Sequence, residues 1–203
     1  MAKIKNTPDN DKGLMDKAVH GDKAAFSRLV TKYKDRLYNF IYRMIPEEQE
    51  AQDILQETFL RAYKERERYQ PDYAFSTWLY TIATNLVRSE YRKRKRWKFI
   101  SMGIGSQDDE LTIPEVGYKD LNLMPYIEKA LENLGYEYRT TFILRDIQQL
   151  PYEEIAQITK VPVGTVKSRL NRARRLLREQ LSPLRESYHG LSKGIPQTLS
   201  VLG

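Results

Sequence analysis

Between positions 165 and 175 the chain carries Thr165, Lys167, Ser168, Asn171, Arg172 and Arg175, a concentration of hydroxyl, amide and cationic side chains. The chemistry open to such a set is noncovalent recognition. Lysine and arginine donate to the O6 and N7 acceptors of guanine, asparagine pairs with the N6 and N7 edge of adenine, and hydroxyls bond phosphate oxygens. Lys167 and Arg172 can therefore read guanine and Asn171 adenine, provided one helix presents them together to a major groove.

A helix-turn-helix supplies that presentation. Ile155 and Ile158 fall on one face of a first helix that begins near Tyr152, Val161 sits in the turn, and Val166, Leu170 and Ala173 recur at helical spacing on the second helix. Ala156 is small where two helices cross steeply, and Pro162 with Gly164 punctuates the turn just before the second helix. The competing interpretation is a plain two-helix packing unit with a solvated charged face.

The charge balance fits a polyanionic partner. There are 34 Lys and Arg against 27 Asp and Glu, a net charge of +7. The excess is clustered: Arg88, Arg92, Lys93, Arg94, Lys95, Arg96 and Lys98 face only Glu90 in the same stretch, and Arg172, Arg174, Arg175 and Arg178 form a second group. Two separated basic surfaces suggest two contacts with one long nucleic acid. With no cysteine and two isolated histidines, His20 and His189, disulfides and cysteine-ligated zinc are excluded and no metal site is expected. Asp53 and Glu57 form an i,i+4 pair without a third ligand, and neither a phosphate-cradling glycine loop nor a nucleophile with its base is found. The chain is expected to be no enzyme and to need no cofactor. The absence of a long apolar run or a signal-peptide core points to a soluble, cytoplasmic protein without direct membrane insertion.

Helical periodicity runs through most of the chain. Leu14 to Val19 reads as a short helix ended by Gly21, with Asp22 as the cap of the next. Phe26, Leu29, Val30, Tyr33, Leu37, Phe40, Ile41 and Met44 mark a long amphipathic helix stopped by Pro46. A third helix passes through Ala51, Ile54, Leu55, Thr58, Phe59 and Ala62 and leaves Asp53, Gln56, Glu57 and Arg61 on other faces, free for a partner. After a turn around Pro71, Phe75-Ser76-Thr77 leads into a fourth helix with Trp78, Leu79, Ile82, Ala83, Leu86 and Val87 inward and the basic run at its far end. Periodicity then lapses around Gly103, Gly105, Pro114 and Gly117 and returns near Leu123, where one helix through Ile127 and Leu134 and another over Tyr138 to Ile147 lead into the helix-turn-helix, whose end is marked by Pro183. The expected fold is all-α: a helical domain over residues 1–98, a flexible acidic linker over 99–122, a second helical domain over 123–183, and a weakly ordered tail over 184–203.

Five segments in this order resemble the extracytoplasmic-function (ECF) group of bacterial sigma factors. They are Gly21-Asp22-Lys23-Ala24-Ala25-Phe26, Tyr42-Arg43-Met44, the run from Asp53 to Tyr63, the run from Phe75 to Asn85, and Tyr152-Glu153-Glu154-Ile155-Ala156 with the run from Pro162 to Leu170. The resemblance implies a subunit that directs core RNA polymerase to promoters. The third helix would dock on the clamp of the largest polymerase subunit through Asp53, Gln56, Glu57 and Arg61. The start of the fourth would capture the −10 element as a melted strand with a base turned out of the stack. Asn85 matches the position near that base, and Phe75, Ser76, Thr77, Trp78 and Tyr80 offer aromatic and hydroxyl groups to single-stranded DNA. Trp78 also fits the core stripe, which leaves packing open as its job. Arg88, Arg92, Lys93, Arg94 and Arg96 would hold the adjoining duplex.

In the second domain the same resemblance places the recognition helix on the −35 element. Lys167, Ser168, Asn171 and Arg172 would read bases, Thr165 and Arg169 would touch phosphates, and Arg175 lies on the same outward face. That domain would sit on the second-largest polymerase subunit, with Asp108-Asp109-Glu110 either in the RNA exit path or a solvated tether. A dedicated anti-sigma factor is an expected partner. The residues depart from the family pattern at Gln52, Ser89, Glu90 and Gly135, and in the length of the tail. A stand-alone operator-binding regulator would use the same helix-turn-helix but would need neither the third-helix face nor the aromatic segment.

Overall fold

The computed structural model describes residues 8–102 and 124–188. The described residues form helices α1 (Pro8–Val19), α2 (Lys23–Met44), α3 (Glu48–Lys64), α4 (Phe75–Met102), α5 (Met124–Glu132), α6 (Tyr136–Phe142), α7 (Tyr152–Thr159) and α8 (Val163–Tyr188), and no strand occurs among them. Asp108-Asp109-Glu110 and the tail beyond Tyr188 lie outside the described residues.

The first unit is α1 to α4. Gly21 has φ +96, a conformation glycine adopts without steric cost, and Asp22 caps α2 by accepting from the Ala25 amide at 3.0 Å. Phe26, Leu29, Tyr33, Leu37, Phe40, Ile41 and Met44 are all buried along one side of α2. α1 begins well before Leu14, and its Asp11 carboxylate explains the extension. That carboxylate, 6% exposed, accepts from the Tyr33 hydroxyl and the Lys32 ammonium at 2.5 Å each. Burial, with Asp11 beside it, pushes the Tyr33 phenol far above its ordinary pKa, so the neutral donor form is held. The core stripe of α4 is Phe75, Leu79, Ala83 and Val87, each no more than 1% exposed, and α4 runs on to Met102, past the boundary expected at residue 98.

The second unit is α5 to α8. Ala130, Leu131, Leu134, Phe142, Leu170, Ala173, Leu177 and Leu181 form its own core. Tyr138 to Ile147 is not one regular helix: α6 starts at Tyr136 and widens at its end into a π turn over Ile143–Ile147, with the Gln148 amide reaching back to the Ile143 carbonyl at 2.9 Å. In the helix-turn-helix, Lys160 takes a left-handed conformation (φ 57, ψ 44) to end α7. The Pro162 carbonyl accepts from Thr165 and Val166 at the start of α8, so Gly164 belongs to the helix rather than to the turn. Nor does Pro183 end α8, which continues to Tyr188. A proline removes the amide that would bond the carbonyl four residues earlier. Here that carbonyl, of Glu179, accepts from the Ser182 hydroxyl at 2.8 Å.

The two units touch. Ile143, Leu144, Leu150, Ile155, Ile158 and Val166 of the second belong to the same continuous cluster of buried residues as the core of the first. α4 and α7 make the main contact, with α6 farther along α4.

Asp11→Ala strands a buried hydroxyl and breaks a charge-assisted pair, a loss of about 2 kcal/mol. Calorimetry of the variant should show a melting temperature lower by roughly 4–8 °C for a chain of this size. Lys160→Gly removes a left-handed penalty of about 1 kcal/mol and should raise the same transition by roughly 2–4 °C.

Candidate nucleic-acid interface

On α8 the inward positions Val166, Leu170 and Ala173 are buried, which fixes the rotation of the helix and turns Lys167, Ser168, Asn171, Arg172 and Arg175 outward. These five are exposed on one face, with the Lys167 ammonium 5.7 Å from the Tyr152 ring and Arg175 within 3.7 Å of Glu179. Thr165 is half-buried, and its carbonyl accepts from the Ser168 hydroxyl at 2.9 Å. Arg169 is placed differently from the phosphate contact expected of it. It is half-buried and ion-paired with Glu137, so it clamps α8 to α6. Arg174 does similar work through both Asp146 oxygens, at 2.7 and 3.0 Å.

α4 divides the residues that the sequence grouped together. Phe75 is 1% exposed and packs among the rings of Tyr33, Tyr69 and Trp78, so it is a core residue with no surface to offer a base. Thr77 and Tyr80, 3% and 2% exposed, face the second unit. Ser76 is half-buried. Trp78 packs on Phe75 and Tyr69 and also lines an open cavity of about 350 Å³ with Arg68, Tyr69, Gln70, Tyr73 and Thr81. From that cavity one stripe of α4 runs through Asn85, Ser89, Arg92 and Arg96, all exposed and spaced at the helical repeat.

The cations of α4 separate in the same way. Arg92, Lys93 and Arg96 are exposed, with Lys93 3.5 Å from Glu90. Arg94 is held by Glu47 and Glu50 of the α3 start, with Glu90 at 3.7 Å, and is a structural clamp rather than a free duplex contact. Arg88 is half-buried over the Tyr136 ring at 5.5 Å and 4.0 Å from Glu137. Sequence reasoning missed Tyr69 and Tyr73, although two tyrosines flanking Pro71 just before Phe75 were the available signal. It also missed Trp97, 64% exposed within the basic run.

On α3, Asp53, Gln56 and Arg61 are exposed, and Glu57 pairs with Arg61 at 2.6 Å. Between them Leu60 is 46% exposed, an apolar centre in a polar face that the sequence pattern did not single out. Among the described residues no group of three or more His, Asp or Glu could hold a metal ion, and no helix is long and apolar enough to cross a membrane.

These surfaces coincide with two known family segments. Residues 29–97 match the family model Sigma-70 region 2, and residues 125–177 match Sigma-70, region 4. The chain is 38% identical over 173 residues to the ECF RNA polymerase sigma factor SigW of Bacillus subtilis (strain 168), covering 81% of this chain and 92% of that one. It is 34% identical over 188 residues to the RNA polymerase sigma-H factor of Pseudomonas aeruginosa, covering 88% and 97%. Among solved structures, the sigma factor RpoE in complex with the anti-sigma factor NepR from Bartonella quintana superposes with a TM-score of 0.63 at 29% identity, covering 77% of this chain and 96% of that one. CnrH, solved with the cytosolic domain of CnrY, shares the fold with a TM-score of 0.67 at 24% identity, covering 86% and 98%. With these matches along most of its length, the chain belongs to the ECF family of RNA polymerase sigma factors.

Proposed function

We propose that the chain carries core RNA polymerase to its promoters, that α8 reads the −35 element, and that the cavity beside Trp78 takes the base turned out of the −10 strand. The observation that carries this is the exposed stripe of α4, which joins an aromatic cavity to Asn85 and then to Arg92 and Arg96. A strand following that stripe meets stacking surface, then an amide able to donate and accept, then cations for the duplex backbone. Tyr69, Tyr73 and Trp78 supply the stacking, worth about 1–3 kcal/mol per base, against an unstacking cost of a few kcal/mol. Strand opening thus draws on binding free energy, and no enzymic step or cofactor is invoked.

The α3 face around Leu60, with Asp53, Gln56, Glu57 and Arg61, is the surface for the largest polymerase subunit, and the second unit serves the second-largest. An anti-sigma factor is a partner by analogy with the complex of RpoE and NepR. The working compartment is the cytoplasm, where polymerase and promoter meet. An operator-binding regulator would leave the α3 face and the cavity without a role.

Transcription reconstituted with core polymerase on genomic fragments tests the whole reading: it requires start sites that depend on this chain. Tyr73→Ala, on an exposed cavity wall, should weaken binding of a single-stranded −10 oligonucleotide by the holoenzyme about tenfold, measured by fluorescence anisotropy, with −35 duplex affinity unchanged. Permanganate footprinting should separate Asn85→Ala, which loses strand opening, from Arg172→Ala, which loses closed-complex formation by about 1–3 kcal/mol yet opens a premelted template normally. Leu60→Asp should reduce affinity for core polymerase at least tenfold, on the order of 1.4 kcal/mol, in a competition assay, while circular dichroism stays that of the parent.

A further inference from the structure

A crevice of about 210 Å³ lies where the end of α2 meets α5 and α6. Tyr42, Arg43 and Pro46 form one wall and Glu128, Leu131 and Glu132 the other, with Arg139 completing the lining. Arg139 is 5% exposed, and its Nε is buried without a hydrogen-bond partner. Burial brings the guanidinium's pKa down to about 10, although Glu132, Tyr91 and Glu47 lie near enough to oppose the fall. Neither carboxylate closes on it. Glu47 is engaged by Arg94, and Glu132 stays exposed on α5. Arg43, half-buried in the same lining, makes no ion pair among the described residues. A guanidinium is a planar fork of donors with no acceptor of its own, and leaving it desolvated and unmatched costs free energy until an acceptor arrives.

The lining is not simply cationic. Glu128 and Glu132 stand one turn apart on the same face of α5, and both are exposed where the crevice opens. A plain anion is drawn by the arginines but repelled by these carboxylates, and a plain amine meets the reverse. A molecule that carries both charges matches both. Between the two charged groups Tyr42, Pro46 and Leu131 offer apolar surface for a short hydrocarbon side chain. The volume falls below the roughly 300–1,000 Å³ of sites for drug-sized ligands, which is too small for a nucleotide or dinucleotide.

We propose that this crevice binds a free aliphatic α-amino acid, with its carboxylate held by the forks of Arg139 and Arg43, its ammonium between Glu128 and Glu132, and its side chain against Pro46 and Leu131. A carboxylate suits the buried end because it accepts parallel N–H bonds from a guanidinium while cancelling its charge. None of the lining residues belongs to the reading faces of α4 and α8 or to the α3 face around Leu60, so the site takes a ligand of its own. An occupant that binds only the folded chain stabilises it by mass action. The consequence is a chain whose stability follows the concentration of a metabolite.

Titration calorimetry of the free, full-length chain tests this with L-leucine and L-valine as probes. Isocaproate, which is leucine without its ammonium, and isopentylamine, which is leucine without its carboxylate, are the matched controls. At least one of the amino acids should bind at millimolar concentration or below and raise the melting temperature, and each control should bind at least about tenfold more weakly than leucine. Arg139→Met, an apolar replacement of similar length, should abolish binding. If that variant does not fold, the exposed pair Glu128→Gln with Glu132→Gln decides alone: it should weaken leucine about tenfold and strengthen isocaproate, because the opening no longer repels a simple anion. A purely structural role for these carboxylates would not reverse the preference. The site is overturned if neither amino acid binds, if isocaproate binds the parent as well as leucine does, or if the glutamine pair leaves the preference unchanged. Each of these results is read without DNA or polymerase, so none of them bears on the promoter reading.

Discussion

The 3.6-residue period of α4 is the constraint that the other surfaces obey. Phe75, Leu79, Ala83 and Val87 fix one side of the helix in the core of the first unit. That choice of phase turns Trp78 to the cavity and Asn85, Arg92 and Arg96 to solvent, and puts Thr77, Tyr80 and Thr84 against the second unit. Shifting the core stripe by one residue would rotate every side chain by about 100°, and the line of amide and cations would no longer lead away from the cavity walled by Tyr69 and Tyr73. Function here is a by-product of which apolar residues pack.

The seam between the two units combines apolar packing with directional polar contacts. An all-apolar junction between the units would gain free energy with area and resist opening. This one mixes an apolar centre with a few directional bonds through Gln148, Glu154 and Tyr136, and leaves Arg139 and Thr84 unmatched. Such a junction is specific in register because the Tyr80 hydroxyl donates to Gln148 Oε1 across it. Part of its buried polar surface, the Arg139 Nε and the Thr84 hydroxyl, makes no hydrogen bond there.

Much of this was legible in the sequence wherever a local rule decided the outcome. The helix-turn-helix, the cap at Asp22, the left-handed Gly21 and the outward face of α8 all follow from periodicity and single-residue chemistry. What could not be read is what depends on neighbours distant in the chain. Phe75 and Tyr80 look alike as aromatic residues in a DNA-facing segment, yet Phe75 is enclosed by Tyr33 and Tyr69 and Tyr80 by Gln148. Pro183 is a helix breaker by any local rule, yet α8 continues past it, and the Glu179 carbonyl it deprives of an amide accepts from the Ser182 hydroxyl. Leu60 falls opposite the stripe of Ala51, Ile54, Leu55, Thr58, Phe59 and Ala62, so the period itself leaves it outside the core, but its place among Asp53, Gln56, Glu57 and Arg61 shows only in the folded α3.

The same distinction governs charge. Counted from sequence, the run from Arg88 to Lys98 is a single strongly basic patch. In three dimensions Arg94 is held by Glu47 and Glu50 and Arg88 lies over Tyr136, while Arg92 and Arg96 point to solvent. On α8, likewise, Arg169 and Arg174 bind Glu137 and Asp146, leaving Lys167, Arg172 and Arg175 on the reading face. An arginine already paired within the protein releases few counterions when DNA arrives, because its charge is compensated before the encounter. The electrostatic attraction of each surface is therefore set by its exposed cations, Arg92, Lys93, Lys95 and Arg96 on α4 and Lys167, Arg172, Arg175 and Arg178 on α8, rather than by every basic residue of the run. Weak, nonspecific attraction of that size leaves the base-edge contacts and the aromatic cavity to decide where the chain settles, as discrimination among promoters demands.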